Sequence, residues 1–298
     1  MPDVVFSNRD LACRGAPGYG WSMTDTLDHT RLAELEDFAV SLAHSAADVI
    51  LPLFRADHGL TDKGAVTGRV FDPVTEADKG AEAAIRAAIA ARFPDHGVIG
   101  EEYGEDRPDA EFVWVLDPID GTRAFISGLP LWTTLIGLRH RGVPVVGVIA
   151  QPFTGEYFVG SQHGARLLRG SERWTLRTRP CHDLSQVLAA TTDPHLFAGL
   201  EQEAYRRFHA AARLVRLGAD AYAYAMVAMG KLDVVVERGL KSWDVEAAVP
   251  LLAGAGGRVA DWTGAPIGRN GGQMLIVGDI GLLPALTPLL GPAADPQA

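Results

Sequence analysis

The stretch that most constrains this chain is residues 112–122, FVWVLDPIDGT. A run of aromatic and β-branched residues drives straight into Asp117 and Asp120, then into Gly121 and Thr122. Such a run suits a buried strand. A buried strand that delivers two carboxylates needs something to neutralise them. Turns at strand ends use acids and glycine for ordinary reasons, so the string matters only with similar segments elsewhere.

Three other segments place acids at the ends of apolar elements. They are FDPVTEAD (Asp72, Glu76, Asp78), VIGEEYGE (Glu101, Glu102) and KSWDVEAAV (Asp244). Carboxylates about 4 Å apart repel by about 4 kcal/mol per pair at an effective dielectric near 20. A fold that gathers several must protonate some or bind cations. Hard oxygen donors of this kind suit Mg²⁺. The nine histidines include no pair three or four positions apart, so a helix-borne zinc pair is excluded. There is no Walker A loop, nucleophile elbow or dinucleotide-binding glycine turn.

Around Asp117 and Asp120, proline stiffens the chain and Ile119 can offer its carbonyl as a further oxygen ligand. Gly121 lets the backbone turn into a helix start. The amides of Gly121 and Thr122 would open that helix and favour an anion. A metal-binding pair of acids beside an anion-binding helix end outlines a phosphate-ester hydrolysis site.

Composition bounds the rest. The chain has 298 residues, 47% hydrophobic and 21% charged, which is ordinary globular usage. A net charge of −10 argues against a nucleic-acid-coating protein. It leaves phosphate chemistry open, because a metal supplies positive charge locally. Cys13 and Cys181 make no disulfide framework, and a reducing cytoplasm is the simplest compartment. No apolar run is long enough for a membrane span, and no signal peptide is recognised. Residues 1–25 lack a clear period and are expected to form a mobile extension.

Residues 26–58 carry a helical apolar face ending near Pro52, and 76–93 an Ala-rich helix stopped by Pro94. Strands are expected at 96–102 and 112–117, then as hairpins over 131–152 and 156–170. Further on, strands at 186–192 and 232–238 alternate with helices at 198–214, 220–230 and 244–257, followed by the late strands RVADWTG and GQMLIVG. The pattern predicts an α/β protein, with an α+β half (26–184) followed by an α/β half (185–298).

With DPVTEAD, GEE, DPIDGT and WD in this order, the chain resembles the inositol monophosphatase family of Mg²⁺-dependent phosphatases. Within it, DPIDGTRAFISGLPLW, GADAYAYAMVAMGKLDVVVERGLKSWD and AGAGGRVADWTG are similar to histidinol-phosphate phosphatases. The resemblance implies a layered α-β-α-β-α sandwich, a homodimer and a phosphomonoesterase that splits L-histidinol phosphate. The same family's inositol-1-phosphatase and nucleotide 3′-phosphatase activities are the alternatives, and a non-catalytic metal-binding module is the remote one. It implies that Glu101, Asp117, the Ile119 carbonyl, Asp120 and Asp244 hold two Mg²⁺ ions. Asp72 would help place a third ion and polarise the attacking water, with Thr122 orienting that water and Glu101 sharing in catalysis. Gly121 and Thr122 would hold the phosphate.

Histidinol phosphate carries an ammonium and an imidazole, so its site wants acids beside the metals. Asp220 and Glu237 are the candidates, the alternatives being a helix N-cap and an ordinary strand-end acid. Arg123 is expected to neutralise phosphate or to face solvent. Lys63 approaches the metals or is a solvated loop residue. Glu76 and Asp78 are expected to cap the following helix.

Overall fold

The computed structural model describes residues 27–56, 61–62, 73–74 and 76–295. The expected N-terminal extension, Cys13, Lys63 and Asp72 lie outside the described residues.

Helix α1 (His29–Ile50) runs as its apolar period predicts. The Asp28 side chain accepts from the Arg31 amide, and Leu35, Leu42 and Ile50 are buried. After the short antiparallel pair β1 (Thr61–Asp62) and β2 (Pro73–Val74) comes α2 (Glu76–Arg92). The larger sheet then forms from β3 (Gly97–Gly100), β4 (Gly104–Asp106), β5 (Phe112–Asp120), β6 (Thr133–His140), β7 (Val143–Gln151), β8 (Glu156–Ser161), β9 (Gly164–Arg169) and β10 (Glu172–Thr175). A short helix, α3 (Thr122–Ile126), follows β5. The strand order is β10-β9-β8-β7-β6-β5-β3-β4, antiparallel except between β3 and β5.

The second sheet comprises β11 (Leu188–Thr191), β12 (Leu214–Leu217), β13 (Val234–Leu240), β14 (Arg258–Ala260) and β15 (Gly272–Val277), in the order β12-β11-β13-β15-β14. Its helices are α4 (Leu200–Ala211), α5 (Asp220–Ala228), α6 (Ser242–Val245), α7 (Ala248–Ala255) and α8 (Leu283–Leu290). Residues 244–257, expected as one helix, form two: Asp244 lies in α6, and α7 begins after a break. Residues 214–217 form an edge strand that sequence periodicity did not reveal. It is short and largely exposed, so it lacks the alternation of a half-buried strand.

The layers follow from which faces are apolar. Ile136, Val148 and Val159 of the large sheet pack with α1 and α2. Their register neighbours Leu135, Ile149 and Phe158 point the other way and pack with α5, α7 and the inner face of the second sheet. The outer face of the second sheet, Val234, Val236 and Leu275, packs on α4 and α8. The result is the α-β-α-β-α sandwich expected of the family. Among the described residues no helix is long and apolar enough to cross a membrane.

Candidate functional site

Asp117 and Asp120 both belong to β5, which extends three residues beyond the expected strand. Three apart, they would ordinarily point to opposite faces. A one-residue register shift against β6 prevents this: Asp117 pairs with Leu135 and Asp120 with Thr133. The bulge turns both carboxylates to one side. Proline is tolerated there because the ladder is already broken, and the Thr134 hydroxyl donates to the Pro118 carbonyl at 2.7 Å. The Ile119 carbonyl accepts from the Thr122 hydroxyl at 3.2 Å. Gly121, at φ 80°, turns the chain into α3. A Cβ here would lie 3.1 Å from the Asp220 carboxylate.

Asp244 arrives from the other sheet on α6. The Lys241 amide donates to its Oδ2 at 2.6 Å, and neighbouring Trp243 packs against Ile99, Val113 and Val115. Asp117, Asp120 and Asp244 each offer an oxygen, and these lie within 4.8 Å of one another. Burial, then the charges of Glu101, Asp120, Asp244 and Asp78, push the Asp117 carboxyl well above its ordinary range. Burial, then Asp220 and Asp244, do the same to Asp120, opposed by the Ala221 amide. Asp244 is pushed up to about 6 by burial, held back by the Lys241 amide and a hydrogen bond to Asp117.

Asp117 is 2% exposed, and its Oδ1 has no hydrogen-bond partner among the described residues. A buried carboxylate oxygen without a donor, facing two more acids, suits a hard divalent cation.

Glu101 follows β3, where its amide meets the Leu116 carbonyl at 3.3 Å. It lies outside the group of three, but its charge raises both Asp117 and Asp120. Its turn is held by fully buried Glu82, which accepts from the amides of Glu102 and Tyr103 at 2.8 and 3.2 Å and from Arg86 at 2.7 Å. Sequence reasoning passed over Glu82, although an acid between Ala81 and Ile85 on the apolar face of the helix was the available signal. Glu76 and Asp78 lie in the first turn of α2, but Asp78 is buried and adds its charge to that at Asp117.

A second group of acids lies beside the first. Asp220 is not an N-cap: Ala219 holds that position, and Asp220 sits within the first turn at φ 43°. Glu237 is not a solvated strand end. It is 2% exposed and accepts from the Thr192 amide at 2.7 Å and the Thr192 hydroxyl at 3.0 Å. Burial pushes Glu237 up to about 8, the Thr192 bonds opposing it. Burial also pushes Asp220 up to about 6, against the pull of Arg123 and Thr192. Arg123 is largely exposed and reaches Asp193 at 3.4 Å. Of the two tyrosines in AYAY, Tyr222 bonds Glu156 at 2.9 Å. Tyr224 is buried, and the charges of Glu237, Asp120, Asp244 and Asp220 add to burial in raising its pKa.

The sequence model of the inositol monophosphatase family matches residues 31–287. The bifunctional phosphatase IMPL2, chloroplastic, of Arabidopsis thaliana is 41% identical over 236 residues, 78% of this chain and 66% of that protein's length. A histidinol-phosphatase of Chlorobaculum parvum is 33% identical over 226 residues, 76% of this chain and 85% of its own. Among solved structures, an inositol monophosphatase from Zymomonas mobilis is 38% identical and superposes with a TM-score of 0.76, covering 87% of this chain and 98% of that one.

Proposed function

The chain belongs to the inositol monophosphatase family, and on that footing we propose that it is a Mg²⁺-dependent phosphomonoesterase whose substrate is L-histidinol phosphate. The observation that carries the metal is the convergence of Asp117, Asp120 and Asp244 around an oxygen with no hydrogen-bond donor. These three, with Glu101 and the Ile119 carbonyl, would hold two Mg²⁺ ions, and Asp72 would help place a third. Bound there, the metal supplies Lewis acidity and a water acidic enough to attack at neutral pH.

The residues do the remainder. The first-turn amides at Gly121 and Thr122 have no partner within a helix and suit phosphate oxygens. The Thr122 hydroxyl and Asp72 would orient a water for in-line displacement of the ester oxygen, so no covalent phospho-enzyme would form. Arg123, exposed and paired with Asp193, would turn to the phosphate.

Asp220 and Glu237 support the finer assignment. Two carboxyls joined through Thr192 beside the metal site, both raised by burial, would be drawn into their charged forms by a cationic leaving group and so suit it better than a neutral one. The Chlorobaculum relative supports the same reading. Hydrolysis of an inositol phosphate is the second reading, favoured by the Zymomonas structure. A cytoplasmic homodimer is the accompanying proposal. Phosphate release from histidinol phosphate, inositol 1-phosphate and adenosine 3′,5′-bisphosphate, measured side by side with Mg²⁺, tests the assignment. The highest kcat/KM is expected on histidinol phosphate. Faster turnover of inositol 1-phosphate would overturn it while leaving the phosphatase intact.

A further inference from the structure

We propose that the buried Arg139–Glu246 ion pair is a positioning device that fixes α6, and with it Asp244, at the reach Asp117 and Asp120 require. The inference rests on the metal centre proposed above.

The difficulty it solves is topological. Asp117 and Asp120 stand on the eight-stranded sheet, whereas Asp244 follows β13 of the other sheet. It sits on a helix of four residues, too short to be stable alone. The Lys241–Asp244 bond is internal to the segment and sets nothing relative to the large sheet. Trp243 contributes apolar contact, which is non-directional.

Glu246 lies two residues beyond Asp244 and is 5% exposed; Arg139 of β6 is 7% exposed. Arg139 Nε donates to Glu246 Oε1 at 2.7 Å and Nη2 to Oε2 at 2.6 Å. Paired parallel bonds fix orientation as well as distance. Nη2 also reaches the Arg269 carbonyl at 3.4 Å. The sheet is shaped to admit the segment. Gly137, Gly147 and Gly160 stand in register across β6, β7 and β8. A Cβ at Gly137 would lie 2.6 Å from Glu246 Cγ, and one at Gly147 or Gly160 would strike the backbone of Ala247 or Leu251.

A buried ion pair is a poor stability device, because desolvation consumes its Coulombic gain and apolar replacements of both partners are often neutral or stabilising. Geometry is the better account of this one. Outer contacts that orient metal ligands typically govern about 10–100-fold in metal affinity.

The test is the full-length double variant Arg139→Met/Glu246→Leu, titrated with MgCl₂ by calorimetry, with metal-free melting measured alongside. The expected result is near-normal or higher metal-free melting, a Mg²⁺ Kd weakened about tenfold or more, and a higher Mg²⁺ requirement for phosphate release with little change in substrate KM. Arg139→Lys keeps the charge and gives up the paired geometry; it should fold and weaken Mg²⁺ by a smaller factor. Wild-type Mg²⁺ affinity in Arg139→Lys and in the double variant would overturn the proposal, as would a double variant that loses its fold. A wild-type chain that takes up no Mg²⁺ would overturn the metal centre itself, and the proposal with it.

Discussion

The backbone amide of Ala221 donates to Oδ2 of Asp120 at 2.7 Å, so a carboxylate 101 residues upstream caps the first turn of α5. One side chain thereby serves two sheets. It takes part in the acid group on β5 and anchors the helix that carries Asp220.

Asp120→Asn keeps an oxygen for the Ala221 amide and removes a charge from the cluster. The variant should fold, lose Mg²⁺ affinity and lose phosphate release by orders of magnitude. Turnover close to that of the wild type would remove Asp120 from the reaction.

Mg²⁺ should raise the melting temperature, because mass action stabilises the fold by about 2.7 kcal/mol at a hundredfold excess over its Kd. Calorimetry with and without a chelator measures this. Identical melting in the two conditions would exclude a preformed cation site.

The metal-free protein should lose stability as pH rises. Glu237 titrates near 8 in the fold against an ordinary 4.5. Its protonated form is the one the fold prefers, so its contribution is complete below about 4.5 and lost as pH passes through about 8. Asp220 and Asp244, raised to about 6, add a loss at lower pH. In Glu237→Gln the upper part of the decline should become shallower, the remainder coming from the Asp117 and Asp120 carboxyls, which burial also raises. A variant that declines as steeply as wild type between neutral pH and pH 9 would refute this assignment.

Gly121→Ala forces a side chain into the left-handed region at φ 80° and against Asp220. A cost of about 1–2 kcal/mol is expected from the backbone alone. Phosphate release should fall further than stability does, because the same turn presents the Thr122 amide. Equal kcat/KM in variant and wild type would detach this turn from phosphate binding.

Glu82→Gln leaves fewer acceptors for two amides and Arg86. Unsatisfied buried donors cost about 1–3 kcal/mol. Mg²⁺ affinity should drop with the loosened Glu101 turn, as read by titration. Unaltered affinity would mean that Glu101 needs no such support.

Much of this protein was legible before its structure. The apolar period of α1 and the apolar run of β5 are local signals, and local rules read them. The acidic strings pointed to a cation site because gathered carboxylates have few tolerable uses, and the fold brings Asp117, Asp120 and Asp244 together. The residues that organise the site were harder to find. Glu82, Arg139, Glu246 and Thr192 are single polar residues whose partners lie far away in sequence.

By itself, then, the sequence determined most of the helices and strands and their order, the family, and which acids could serve a cation. Tertiary structure alone decided that a bulge turns Asp117 and Asp120 to one side, that Asp220 is strained rather than capping, and that Glu237 is buried. The reason is physical: periodicity records which face of an element is apolar, whereas the partner of a buried charge is set by which elements the chain later brings against it.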